Sequence, residues 1–358
     1  MAQSTLDITV RRTANSKLPQ TDFSHLKFGE TFADHQLEMI YRNGKWGQPE
    51  IKPYGKITVS PSMNALHYGQ AVFEGMKAFR YRENDVNIFR LEKHCERFAT
   101  SCRRMNIPEI EPEIFIQSLK ALVDLDRDWV PREKYKSLYI RPFVFGTDES
   151  LGVKTCSDYR FLIIISPVGN YYSEGINPVS LTTMPEYVRA VSGGAGFAKV
   201  PGNYGSTLYP GAVAQKKGYT QVMWLDAIEH KYVEEVGTMN MFFLIDNTLI
   251  TPPLGKSILA GVTRRSVIEL AEKWNMPVDE RRITIEELIE ASQAGNLQEA
   301  FGSGTAAVIS PVGLIHHDGI HIELDREKMG PVAQKFYNEI TGIQHGDIED
   351  TFGWCTII

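Results

Sequence analysis

The chain has 358 residues, room for about two domains that each bury a core. Its 42% hydrophobic and 23% charged content belongs to a soluble globular protein rather than a disordered one. With 38 basic against 44 acidic side chains, the net charge of −6 argues against a nucleic-acid binder with a broad basic surface, and no apolar run approaches the about 20 residues of a bilayer span.

After a polar N-terminal arm, Phe28 to Tyr54 reads as short strands broken by Asn43-Gly44. Lys77 to Arg82 and Val86 to Phe89 flank a polar turn and read as a hairpin. The first helix is expected from Leu91 to Met105, with Leu91, Cys95, Phe98, Cys102 and Met105 on one stripe, closed by Pro108. A second opens near Pro112 and buries Phe115, Leu119 and Leu122. Ser137 to Phe145 alternates as a strand with Tyr139 and Arg141 on one face, and Arg160 to Pro167 is a strand buried on both sides. The polar, turn-rich stretch 169–178 is the expected domain boundary.

Beyond it, Tyr219–Asp226, Met239–Ile245 and Thr248–Thr251 read as strands. A helix opens at Val262-Thr263 and buries Val267, Leu270, Ala271 and Trp274. Thr284 to Gly295 is another helix, with a capping box of Thr284 and Glu287. Clusters of strands, rather than strict βαβ alternation, predict two mixed α+β domains. The four cysteines (Cys95, Cys102, Cys156, Cys355) are too scattered for a disulfide framework and read as buried thiols in a reducing compartment. Met1 to Gln20 lacks the apolar region of a secretory signal, so a cytoplasmic protein is expected.

The most unusual segment is Ser192–Tyr204, SGGAGFAKVPGNY. It is no phosphate loop, because Val200 stands where a Ser or Thr should follow Lys199, and no dinucleotide fingerprint, because Lys199 occupies the third glycine position. What remains is a lysine among small residues. Such residues let a flat ligand approach the backbone, and a crowded lysine loses its charge readily, as a Schiff-base lysine must; the alternative is a solvated surface charge. Glu234-Glu235 before a strand rich in Phe and Met is the second constellation: a buried carboxylate needs a cation or proton opposite it, and solvated edge charge is the plainer reading. Gly261-Val262-Thr263 at a helix start offers backbone N–H groups to an anion, or Thr263 merely caps the helix. Phe301–Ala307, rich in small residues, reads as a turn between a helix and a strand that offers N–H groups to phosphate or carboxylate, or serves only as a connector. His316, His317, Asp318 and His321 follow no HExxH or CxxC spacing, and no metal is expected.

Together these pieces resemble the branched-chain amino acid aminotransferases, pyridoxal-phosphate enzymes of fold type IV. The resemblance runs from about Phe28 to Trp354. It rests on six blocks in family order: HYGQAVFEGMKAFR (His67–Arg80), SLYIRPF (Ser137–Phe143), KVPGNYGSTL (Lys199–Leu208), EEVGTMNMF (Glu234–Phe242), LAGVTRR (Leu259–Arg265) and FGSGTAAV (Phe301–Val308). It implies an α+β, two-domain fold like that of D-amino acid aminotransferase and aminodeoxychorismate lyase. The small domain would be 1–170, the interdomain loop 171–178, and the large domain with the cofactor lysine 179–358.

The resemblance implies a homodimer that moves the amino group of L-leucine, L-isoleucine or L-valine to 2-oxoglutarate by way of pyridoxal 5'-phosphate. Other fold type IV enzymes, a D-amino acid aminotransferase or an aminodeoxychorismate lyase, are the nearest alternatives, and a catalytically inactive binding protein is another. Lys199 resembles the lysine that carries the cofactor and shuttles the proton. Glu235 resembles the carboxylate on the pyridine N–H, and Tyr204 the tyrosine on the ring's phenolic oxygen. Arg97, with the amides of Val262 and Thr263 and with Thr305, resembles the phosphate cup. Tyr68, Thr305 and Ala306 resemble the binders of the substrate's α-carboxylate. Arg141, beside Tyr139, resembles the group that admits glutamate's side chain, and Leu151 and Val153 resemble a loop donated by the other subunit.

Overall fold

The computed structural model describes residues 6–82, 84–169 and 177–358. The chain divides into two compact units: Met1–Tyr171 with Ala198–Pro201 and Gly342–Ile358, and Tyr172–Phe197 with Gly202–Thr341.

The N-terminal unit is built on one sheet of ten strands among the described residues. Its main path runs Thr9–Val10, Glu50–Pro53, His35–Arg42, Tyr159–Val168, Ser137–Gly146, Met76–Tyr81, Asp85–Phe89, Cys355–Ile357; Lys45–Trp46 and Ala71–Phe73 pair at its sides. Tyr159–Val168 is almost wholly apolar because it lies between two neighbours and is covered on both faces. Leu91–Arg104 and Pro112–Leu125 are its two 14-residue helices. The first buries Leu91, Cys95, Phe98 and Cys102 along one stripe, and the second begins with proline at its first position. Phe98, Phe115 and Phe161 bind both helices to the central strand, with ring centroids 5.3 to 5.9 Å apart.

The C-terminal unit holds nine strands among the described residues, in the order Val233–Val236, Gln221–Leu225, Val179–Thr183, Val308–His317, Leu297–Gly304, Met239–Ile245, Thr248–Thr251, Val278–Glu280, with Ile320–Glu323 on Val308–His317. Val233–Val236 also pairs with Met239–Ile245, which closes six of these strands into a barrel. Val262–Lys273 and Ile285–Gln293 are helices of this unit. Phe242, Phe301, Phe336 and Trp274 make an aromatic run, with centroids 4.9 to 5.9 Å apart. Among the described residues, no helix is long and apolar enough to cross a membrane.

Several expectations are corrected. The break at 171/172 falls at the expected boundary of 1–170, 171–178 and 179–358, but two later segments belong to the N-terminal unit. Lys199 and its neighbours join the N-terminal unit because Phe73 N–H donates to the Lys199 carbonyl (3.1 Å) and Lys199 N–H to Ser101 Oγ (2.9 Å). Residues 342–358 join it because Cys355–Ile357 pairs with Asp85–Phe89 and His345 meets the Phe79 ring. Most of the expected interdomain loop, 171–176, lies outside the described residues. Phe301–Gly304 is strand rather than turn, since it is paired on both sides, and the connector is confined to Thr305–Ala307. His316 and His317 end a strand, where Thr182 and Thr183 partner their Nδ1 atoms. Trp274 is only half-buried. The Thr284 hydroxyl caps its helix by accepting from Glu287 N–H (3.0 Å), but the Glu287 carboxylate is held by Arg281 instead of closing the box.

Candidate active site

In the N-terminal unit, Lys199 is held by two elements. Its backbone is tied to the helix Leu91–Arg104 through Ser101, whose hydroxyl donates to the Arg97 carbonyl (2.9 Å), and to the strand Ala71–Phe73. Its Nζ lies 4.9 Å from the Phe73 ring centroid. The side chain is half-buried. Burial, with Arg97 adding to it, pulls its proton affinity from the ordinary 10.5 to about 8, and Glu74 works in the opposite direction. Lys77, opposite Tyr139 in the strand pairing, is likewise pulled down to about 8 by burial.

Arg97 is gripped by Glu74: Nε donates to Oε2 at 2.9 Å and Nη2 to Oε1 at 2.5 Å. Burial alone would raise the Glu74 carboxyl, but the Arg97 charge outweighs it and holds the group well below the usual carboxylate range. Arg141 donates to the Tyr139 hydroxyl (2.8 Å), and its guanidinium lies 4.8 Å from the Phe73 centroid. An added methyl at Gly75 would stand 2.0 Å from the Tyr139 oxygen, so only glycine leaves room for that phenol. Tyr68 donates to the Leu151 carbonyl of its own chain, and Leu151 and Val153 are 68% and 83% exposed.

In the C-terminal unit, Glu235 is buried at the start of the strand pair that closes the barrel. Arg189 Nη2 lies 2.5 Å from its Oε2, and Asn240 Nδ2 donates to its Oε1 at 3.1 Å. Arg189 is steadied by the carbonyls of Gly196 and Ser257. A methyl at Gly196 would lie 2.3 Å from the Ser257 carbonyl, so the small residue there serves the close approach of two backbone segments. Glu234, in contrast, partners Ser257 Oγ, and burial raises its carboxyl. The helix Val262–Lys273 begins at Gly261 with no side-chain cap, and Val262 and Thr263 are buried in its first turn. Thr305 and Ala306 form the half-buried connector before Val308, whose φ of +64° is a strained conformation for a β-branched residue. Tyr204 is half-buried in the short helix Pro201–Gly205.

The structure brings Lys199, Arg97, Tyr139 and Arg141 around Phe73, Glu74 and Ser101. It brings Glu235 to Arg189 and Asn240. Phe73, Glu74 and Arg189 escaped the sequence reading because their partners are remote in the chain, and Asn240 escaped it although Glu235 lies only five positions away. A buried acid could have been sought beside Arg97, since a guanidinium on a helix stripe needs one.

The family model for amino-transferase class IV matches residues 71–315. The chain belongs to the class IV aminotransferases. This aminotransferase is 48% identical over 343 residues to branched-chain-amino-acid aminotransferase 2 of Bacillus subtilis (strain 168), covering 96% of this chain and 94% of that protein. It is 41% identical over 363 residues to the branched-chain-amino-acid aminotransferase of Mycobacterium tuberculosis (strain CDC 1551 / Oshkosh), covering 99% of both. Among solved structures, the branched-chain aminotransferase of Thermoproteus uzoniensis with norvaline superposes with a TM-score of 0.72 at 29% identity, covering 89% of this chain and 98% of that one. The branched-chain amino acid aminotransferase from Escherichia coli gives 0.70 at 27% identity, covering 89% and 98%. The expected family and the fold type IV architecture thus hold for this aminotransferase.

Proposed function

We propose that this chain is a branched-chain amino acid aminotransferase: it takes the amino group of L-leucine, L-isoleucine or L-valine onto pyridoxal 5'-phosphate and delivers it to 2-oxoglutarate, releasing branched 2-oxo acids and L-glutamate. The observation that carries this reading is the lysine in the glycine-rich segment, anchored at both its N–H and its carbonyl and held near a proton affinity of about 8. The near-half identity to the Bacillus subtilis enzyme over almost the whole chain supports the substrate class.

The residues present suit the cofactor. Glu235, buried against Arg189, is a carboxylate fit to receive a pyridinium N–H. Arg97 and the uncapped helix start at Val262 and Thr263, with Thr305, suit a phosphate, and Tyr204 suits the phenolic oxygen. When bound, pyridoxal phosphate supplies an aldehyde carbon for the amine and a ring that accepts electron density from the substrate Cα.

The chain's own residues do the rest. Lys199, whose proton affinity burial lowers, would hold the cofactor through Nζ and take the proton from the substrate Cα. Arg189 balances the charge of the Glu235 carboxylate, which would hold a proton at the ring nitrogen. Tyr68 and the amides of Thr305 and Ala306 take the α-carboxylate. Arg141, oriented by Tyr139, takes the side-chain carboxylate of glutamate, so an apolar pocket for leucine does not leave that charge unpaired. The exposure of Leu151 and Val153 supports a homodimer in which this loop serves the partner's site.

A coupled assay of L-leucine, L-isoleucine and L-valine with 2-oxoglutarate tests the activity, with D-alanine and aminodeoxychorismate as controls. Turnover confined to either control would overturn the substrate class. Borohydride reduction with peptide mapping should place the cofactor adduct on Lys199; label on Lys77, the other depressed lysine, would overturn the assignment.

A further inference from the structure

Glu74 has no role in the scheme above, yet its environment is that of a built device. Its side chain is fully buried, and its two oxygens meet four donors: Arg97 Nε and Nη2, the Gly75 N–H at 2.8 Å, and His94 Nδ1 at 3.2 Å. We propose that Glu74 is a positioning residue for phosphate binding, fixing the Arg97 guanidinium in the direction from which it receives the cofactor's phosphate, with His94 fixing Glu74 in turn. The proposal rests on the pyridoxal-phosphate reading.

The physical case has three parts. A guanidinium on a flexible stem loses much rotational freedom when it binds an anion, and a two-point carboxylate clamp removes that freedom beforehand. Glu74 engages two of the five N–H donors on one edge of the plane, which sets where the other edge faces. The clamp also sits next to the lysine anchor in the chain: Phe73 N–H holds the Lys199 carbonyl, and the following residue holds Arg97. Arginine and lysine are therefore registered by one dipeptide.

His94 suits the supporting role. It is buried, burial lowers its proton affinity and so favours the uncharged imidazole, and its Nδ1 lies 3.2 Å from Glu74 Oε1. Electrostatics gives Glu74 a second signature. The groups acting on Lys199 include Arg97, Arg141, Tyr139 and His94, and Glu74 offsets Arg97 among them. Glu74→Gln should therefore lower the proton affinity of the lysine nitrogen, a change that loss of mere packing would not bring.

The test compares two ligands that differ only in the phosphate. Apoprotein of the wild type, E74Q, R97Q and the double variant is titrated with pyridoxal phosphate and with pyridoxal, reading absorbance of the bound cofactor. E74Q should weaken pyridoxal phosphate by about 10- to 100-fold and leave pyridoxal within about threefold. Added to R97Q, it should change little, since both act on one contact. An unchanged ratio of the two affinities in E74Q overturns the proposal, and so does full additivity of the two substitutions. Should E74Q fail to fold, His94→Ala carries the same comparison, with a smaller loss confined to the phosphorylated ligand expected and an unchanged ratio again fatal. A wild type that takes up neither ligand would remove the cofactor reading itself, a result distinct from an unchanged ratio.

Discussion

Replacing Lys199 should stabilise the apoprotein. Lys199 is held near 8 against an ordinary 10.5, chiefly by burial. At about 1.4 kcal/mol per pH unit, the native state carries about 3 kcal/mol of unfavourable charge burial when the amine is protonated. The side chain is half-buried, so solvent screens part of this, and Lys199→Met also forfeits the contact with the Phe73 ring, worth about 0.5–1 kcal/mol. About 2 kcal/mol of net stabilisation remains at pH 7, a rise in melting temperature of about 4–8 °C for a unit of this size. The sign follows from proton counting. Between pH 8 and 10.5 the unfolded chain keeps the proton that the native chain has lost, so wild-type stability climbs with pH across that window and levels off above it. The advantage of K199M should therefore be full below pH 8 and fade towards pH 10. Melting curves of the two apoproteins at pH 7 and 9.5 read this directly. A variant less stable than wild type at pH 7, or an advantage that does not shrink with pH, would refute the claim that the site disfavours the ammonium form.

The other expectations follow from single contacts. Arg141→Gln should lower kcat/KM for glutamate about tenfold or more relative to leucine, since only glutamate needs a charge-assisted bond there; equal losses on both substrates would reject that role. Glu235→Gln leaves Arg189 buried without its counter-charge and should cost about 3–5 kcal/mol of stability. Adding Arg189→Met should restore much of that stability in urea unfolding without restoring turnover. Thr284→Ala removes a helix cap far from the chemistry in sequence and should cost about 1 kcal/mol, with steady-state rates unchanged.

The legible parts of the sequence were those in which one local rule dominates. The stripe of Leu91, Cys95, Phe98 and Cys102 announced its helix, and Met239–Ile245 and Thr248–Thr251 emerged with the bounds expected of them. Phe301–Gly304 was misjudged because glycine and serine suggest a turn, whereas hydrogen bonding to a strand on either side imposes extension. The assignment of Lys199 to the second unit failed for a related reason: two hydrogen bonds of its backbone, from the Phe73 N–H and to the Ser101 hydroxyl, span 126 and 98 positions and leave no trace in local composition. Arg97 was singled out by its motif, but the acid that holds it was not. Twenty-three residues separate Glu74 from Arg97, and nothing local in EGMK signals a carboxylate turned into the core.

Those missed acids and bases share a logic. Arg97 has Glu74, and Glu235 has Arg189, each pair buried and each with a contact of 2.5 Å. A lone buried charge at either place would be neutralised by a proton shift or would draw in water, and in both cases it would have to reorganise when its ligand arrived. Pairing each functional charge in advance holds it ionised and oriented, at the expense of desolvating a second group. Lys199 is the exception: its cationic neighbours Arg97 and Arg141 and its own burial push it towards the neutral amine. A nucleophile must shed its charge to react, whereas an anion clamp must keep it. In the same unit Glu74 keeps the arginine charged and offsets part of its effect on the lysine, yet burial still leaves the lysine's proton affinity lowered.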